Sequence, residues 1–185
     1  MPKDWIRPAL AEGVGVFFLV FIGVGSIVVD NVTGGDVGLM GIAVAHGLAL
    51  SIAVFATVHI SGAHINPVVT IASMLTGRMG IRLGIIYIVS QLIFAVVAVL
   101  LIKGLFPSVA LEATHIGATT LNTAIAPWQG MLIEAFLTFF LVTAVWANVT
   151  STKVTSNQIV GFSIGLVIVF AILVGGPLTG ASMNP

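Results

Sequence analysis

The chain has 185 residues, 58% of them hydrophobic and only 6% Asp, Glu, Lys or Arg, with a formal net charge of zero. A soluble domain of this size cannot cover its surface with so few charges, so the bilayer is the expected solvent, and without a basic face nucleic acid is not an expected partner. The absence of cysteine excludes disulfides, thiolate metal sites and cysteine nucleophiles; no metal or other cofactor is called for.

The N-terminal Met1-Pro2-Lys3-Asp4-Trp5-Ile6-Arg7 leads into an apolar stretch too long for a signal-peptide core, which reads as the first membrane span. Crossing about 30 Å of hydrocarbon at about 1.5 Å per residue takes some twenty residues. Five stretches meet that length: Pro8 to Val29, Gly38 to Ile60, Ile81 to Gly104, Trp128 to Val149 and Gln158 to Gly175. Between the second and third lies Asn66 to Thr76, apolar but too short to span, opening on Asn-Pro and closing on Gly77-Arg78. Asn at the cap, Pro at the first helical position and Gly past the end predict a half-helix. Lys3, Arg7, Arg78, Arg82 and Lys153 fall on one side of this arrangement and Lys103 on the other, which predicts a cytoplasmic N-terminus. The half-helix then dips in from the cytoplasmic side.

The chain repeats internally. Ser61-Gly62-Ala63-His64-Ile65-Asn66-Pro67 returns as Thr179-Gly180-Ala181-Ser182-Met183-Asn184-Pro185, and Gly47-Leu48 returns as Gly165-Leu166 at the same offset. Glu12 with Phe17-Phe18-Leu19-Val20 is matched by Glu134 with Phe139-Phe140-Leu141-Val142. Three spans separate the copies, so the second is inverted in the membrane, an architecture in which broken helices meet near the midplane. Polar backbone at that depth must be buried in protein or line a wet cavity. The expected fold is an all-α membrane bundle forming a single domain over 1–185, with one repeat over about 8–104 and an incomplete second over about 127–185. A protein of this design is expected to continue past Pro185 through a second half-helix and a sixth span.

Glu12 and Glu134 are ionisable groups within spans, where such groups mark ion or proton sites by default. The alternative, favoured here, is that each accepts N–H groups from an irregular loop and holds its shape; Gln91 in span three and His64 before the first Asn-Pro fall to the same duty. His59 is expected to pack near that loop, and His115 to lie solvated in the long outer connection. Gly161 and Gly165 predict a close helix contact, within or between subunits. Met74, Met79, Phe17, Phe18, Phe139 and Phe140 read as packing or lipid-facing residues, and Trp5, Tyr87, Trp128 and Trp146 as anchors at the membrane interface.

The two Asn-Pro motifs in inverted repeats, the Ser-Gly-Ala-His run and the Glu in spans one and four resemble the major intrinsic protein family, the aquaporins and glycerol channels, over essentially the whole chain. The resemblance implies a passive channel, not an enzyme, conducting water and small neutral solutes while excluding ions and protons, and assembling as a homotetramer with one pore per subunit. Asn66, Pro67, Val68, Asn184 and Pro185 would form the pore centre, the two Asn amides donating to a passing oxygen; Val68 departs from the alanine of the family motif. The outer selectivity filter would carry over to His46, Ile172 and Ala181, a set more like the tonoplast-type plant channels than the strict water channels, with its arginine falling beyond Pro185. Ile and Ala leave a wide, weakly polar opening, so ammonia, urea or glycerol join water as expected solutes. Three rival readings stand beside a water channel: a facilitator mainly for glycerol, urea or ammonia, an ion-coupled transporter, which would need Glu12 or Glu134 on its pathway, and a structural membrane protein with a closed pore.

Overall fold

The computed structural model describes residues 4–150 and 157–185; Lys3 and Lys153, two of the residues that predict the orientation, lie outside them. The chain is a membrane bundle built of helices: α1 (Ile6–Val32), α2 (Gly38–Ser61), α3 (Pro67–Leu75), α4 (Ile81–Leu105), the short α5 (Ser108–Ala113), α6 (Pro127–Thr150) and α7 (Asn157–Thr179). Among the described residues, 5 helices, α1, α2, α4, α6 and α7, are long and apolar enough to cross a membrane. They match the five expected spans, and α3 is the re-entrant half-helix.

The spans obey the rule of a lipid-solvated protein. Inside α1 the buried positions other than Val16 and Val28 are small or polar: Ala9, Ala11, Glu12, Gly13, Gly15, Gly23 and Gly25, while Leu10, Val14, Phe18 and Ile22 form an exposed stripe at helical spacing. Lipid tails solvate large apolar side chains as well as a protein core does, so small residues move inward, where they let backbones approach. The α2–α7 contact shows this most sharply. A β-carbon on Gly47 would stand 2.6 Å from the Gly165 carbonyl oxygen, and one on Gly161 would stand 2.5 Å from that of Ser51. The Gly161/Gly165 pair therefore joins two helices of the same chain. Around this contact lies one apolar core including Val16, Leu50, Val54, Ile164, Ile168 and Ile172. Next to it, α1 packs against both α2 and α4, α6 against α7, and α3 against α4, with Met74 seated over Gly84.

α3 begins where the sequence predicts. Asn66 is extended (φ −158°, ψ 126°) and its side chain accepts from the Val68 N–H, with Pro67 at the first helical position. Past its end Gly77 turns left-handed (φ 71°), and Arg78 and Met79 both donate backbone N–H groups to the Ser73 carbonyl.

Two features depart from the sequence reading. The long outer connection is folded: α5 and a 3-10 turn at His115–Gly117 place Ala110 and Leu111 in a small core with Val28 and Ile102, against Phe106 and Ile116. Tyr87 is no interface anchor. It is only 2% exposed, its hydroxyl donates to the Ser61 carbonyl at 3.0 Å, and its ring meets His64 edge-on. Trp5 and Trp128 are exposed at helix starts, whereas Trp146 is half-buried under the Arg78 guanidinium.

Candidate functional site

α2 and α7 both end on a left-handed glycine, Gly62 (φ 89°) and Gly180 (φ 87°), whose N–H groups close the last turns on the Val58 and Gly176 carbonyls. The loops that follow share one unusual backbone pattern. Ala63 (φ 50°), Ile65 (φ 51°), Ala181 (φ 48°) and Met183 (φ 48°) all lie in the left-handed region, which costs a residue with a β-carbon about 1–3 kcal/mol and persists only where the surroundings impose it. Alternating hand keeps these segments extended yet non-repetitive, so their N–H groups are not paired along a helix or strand and must find acceptors elsewhere.

Those acceptors are the two span carboxylates. Glu12, fully buried, accepts 4 hydrogen bonds: from the Ser61 hydroxyl at 2.6 Å, the His64 N–H at 2.9 Å, the Ile65 N–H at 2.6 Å and the Gln91 amide at 2.8 Å. Glu134 repeats the arrangement, accepting from the Thr179 hydroxyl at 2.5 Å, the Ser182 N–H at 3.1 Å and the Met183 N–H at 2.9 Å. In each loop the hydroxyl itself accepts from the next alanine, Ser61 from the Ala63 N–H and Thr179 from the Ala181 N–H. Each carboxylate thus faces a set of donors, which is what an irregular segment at membrane depth requires.

Thr70, one turn into α3, ties this network to the half-helix. Its hydroxyl donates to the Asn66 carbonyl at 3.0 Å and accepts from Gln91 at 3.2 Å. His64 Nδ1 lies 3.1 Å from the same oxygen. Because the hydroxyl proton is already committed, Nδ1 carries the proton in this contact, which fixes the tautomer of His64.

The tips of the loops meet through the two asparagines. Asn66 Nδ2 donates to the Met183 carbonyl at 2.8 Å, and Asn184 Nδ2 donates to the Ile65 carbonyl at 3.0 Å. An amide has two N–H groups, so each asparagine keeps one beyond this cross-brace. The orientation of Asn66 is set by its other end, where Oδ1 accepts from the Val68 N–H at 2.7 Å.

Both tips open on one cavity of about 470 Å³. Asn66, Pro67, Asn184 and Pro185 line it, as do His46, His64, Gln91, Ile172 and Ala181. Its remaining wall is mostly aliphatic, with Val16, Leu50, Val54 and Ile168 prominent. Glu12, Glu134 and Val68 are not among the lining residues; Val68 serves the cap through its backbone. His46 Nδ1 lies 2.8 Å from the Ile42 carbonyl, and since a carbonyl can only accept, Nδ1 is the protonated nitrogen there.

In the outer connection the sequence reading covers His115 and no cavity-lining residue. Thr119, Thr120 and Asn122 line the cavity, and Asn122 is bound to the end of α7, its backbone N–H donating to the Leu178 carbonyl at 2.8 Å and its Nδ2 to that of Pro177 at 3.0 Å. The available signal was Asn122 itself, a capping residue in an apolar neighbourhood. Tyr87, Ser61 and Thr70 were likewise given no role in the loop network.

Comparison with known proteins agrees with this geometry. The family described as "Major intrinsic protein" matches residues 2–185. "Aquaporin TIP4-4" of Zea mays is 37% identical over 185 residues, covering 97% of this chain and 72% of that protein. "Probable aquaporin TIP3-2" of Arabidopsis thaliana is 39% identical over 193 residues, covering 98% and 70%. "Glycerol uptake facilitator protein-like 6" of Lactiplantibacillus plantarum is 36% identical over 180 residues, covering 97% and 80%. In fold, the X-ray structure of the aquaglyceroporin from Plasmodium falciparum superposes with a TM-score of 0.87 at 23% identity, over 98% of this chain and 77% of that one. The chain belongs to the major intrinsic protein family, and is a multi-pass membrane channel for water or small solutes, not an enzyme.

Proposed function

We propose that the protein conducts water in single file and admits small neutral solutes such as ammonia, urea or glycerol, while excluding ions and protons. The observation that carries this reading is the cross-brace of Asn66 and Asn184, two amide donors held at the meeting point of two loops in a cavity whose wall is mostly aliphatic. A neutral molecule entering such a cavity loses hydration and needs replacement donors and acceptors at low cost. The remaining amide N–H groups supply the donors, and loop carbonyls other than those of Ser61, Ile65 and Met183 the acceptors. The positive N-terminal end of α3, capped by Asn66, sets a potential at the centre that disfavours cations and a proton-carrying water file. Glu12 and Glu134 spend their oxygens on the loops and stand off the cavity wall, which argues against the ion-coupled alternative. In this reading they act with Gln91 and His64 as the scaffold of the loops.

His46, Ile172 and Ala181 form the outer filter, and its open, weakly polar character favours solutes beyond water. The segments at about 8–104 and 127–185 act as one channel domain in the bilayer, with a cytoplasmic N-terminus and four copies per assembly. The test is a pair of light-scattering traces from proteoliposomes carrying the full-length protein, wild type against Ala181→Phe, in impermeant sugar and in glycerol. The expected outcome is fast shrinkage in sugar and re-swelling in glycerol, both slowed by at least about tenfold in the variant, the scale on which a pocket rejects added bulk. Equal rates in wild type and variant would remove Ala181 from the filter.

A further inference from the structure

His46 reaches across the α1–α2 contact and rests on Gly23. The glycine lies within α1 and has no positive φ, so its backbone makes no demand for glycine. Space does. A β-carbon at position 23 would stand 2.5 Å from His46 Cδ2 and 3.0 Å from Cε1, with Nε2 also in its way. The imidazole thus fills the volume that any other residue at 23 would occupy. Its opposite edge is fixed through Nδ1 to the Ile42 carbonyl, and the Ser26 hydroxyl donates to the Gly23 carbonyl at 2.7 Å.

We propose that Gly23 is a specificity-determining positioning residue: its missing side chain is a recess in α1 that holds the His46 ring back and so sets the width of the opening between His46, Ile172 and Ala181. This rests on His46 being part of the outer filter. The direction of displacement follows from what surrounds the ring. On the neighbouring position Gly47 is pressed against α7, so α2 cannot retreat that way, and the Nδ1 bond ties the ring along the helix axis. The cavity that His46 lines is the space left. Restoring an ordinary carbon contact of about 3.5 Å would carry the ring roughly 1 Å into it. A shift of that size closes a pore to glycerol before it closes it to water.

The test is a double-variant cycle in proteoliposomes carrying Gly23→Ala, His46→Ala, both or neither. The readout is the permeability ratio of the largest conducted member of the series ammonia, urea, glycerol to water; if none is conducted, water permeability itself is read. Gly23→Ala in the otherwise unaltered protein is expected to lower the ratio by about tenfold, the discrimination that one misplaced methyl group typically produces, and in the His46→Ala background to leave it unchanged. An undiminished ratio in Gly23→Ala, or the same loss in both backgrounds, would overturn the proposal while leaving His46 in the filter. A wild-type ratio in His46→Ala alone would instead overturn the filter reading and this proposal with it. Should Gly23→Ala fail to insert, recovery of a folded channel in the double variant supports the steric pairing, and continued failure contradicts it.

Discussion

Glu12 has no solvent contact and spends both oxygens on the first loop and on Gln91. Its removal would strand the His64 and Ile65 N–H groups on the buried side of the loop, at about 1–3 kcal/mol for each orphaned donor. The left-handed backbone at Ala63 and Ile65 would then lack the contacts that impose it. Glu12→Ala is therefore expected to lower the thermal midpoint in detergent and to bring water permeability near that of empty liposomes, even where the protein still inserts. Wild-type permeability in an inserted Glu12→Ala protein would show that the loop holds its shape by other means. Glu134 stands in the same relation to the second loop through Thr179, Ser182 and Met183.

At the scale of elements, the α2–α7 contact depends on backbone meeting backbone. Gly165→Val is expected to drive a wedge between the Gly47 and Ser51 turn of α2 and its partner, costing several times the roughly 1–3 kcal/mol usual for overpacking because backbone cannot yield as a side chain does. Its check is loss of folded protein in size-exclusion profiles, and an unchanged profile would contradict the packing described here. The outer connection is held more lightly. Asn122→Ala removes the bond to the Pro177 carbonyl and the one that Asn122 Oδ1 accepts from the Ala124 N–H, each worth about 0.5–1.5 kcal/mol. The expected result is faster amide exchange across residues 118–124 with the spans unaffected; equal exchange would place the anchorage of this connection elsewhere.

These elements differ in how far they could be read from sequence. The spans are legible because length and hydropathy alone decide them in a bilayer, and α3 is legible because Asn66-Pro67 and Gly77 are local start and stop signals. The pairing of Glu12 with the loop is suggested by the repeat, since each copy carries a glutamate in its first span as well as an irregular loop. What sequence leaves hidden is contact between distant positions. Asn122 meets Pro177 and Leu178, Tyr87 meets Ser61, and the His46 ring meets Gly23, none of which follows from a period or a cap. Tyr87 illustrates the failure: an aromatic near a span end suits the interface by composition, yet its hydroxyl finds a carbonyl inside.

For the whole molecule, a buried scaffold and an apolar wall combine into a pathway with few polar groups and no lining carboxylate among the described residues. In the proposed function, water exchanges hydration for the Asn66 and Asn184 amides, while a cation would meet the positive end of α3 and find no counter-charge. On the proposed function, separation of water flow from charge flow is the property that would distinguish this channel from a leak. The most direct measurement records osmotic shrinkage and the response of a trapped pH dye together, in proteoliposomes carrying the full-length protein under a proton gradient. Shrinkage well above that of empty liposomes with no added proton flux is the predicted result. Shrinkage at the empty-liposome rate despite confirmed insertion, or proton flux rising in step with water, would contradict it.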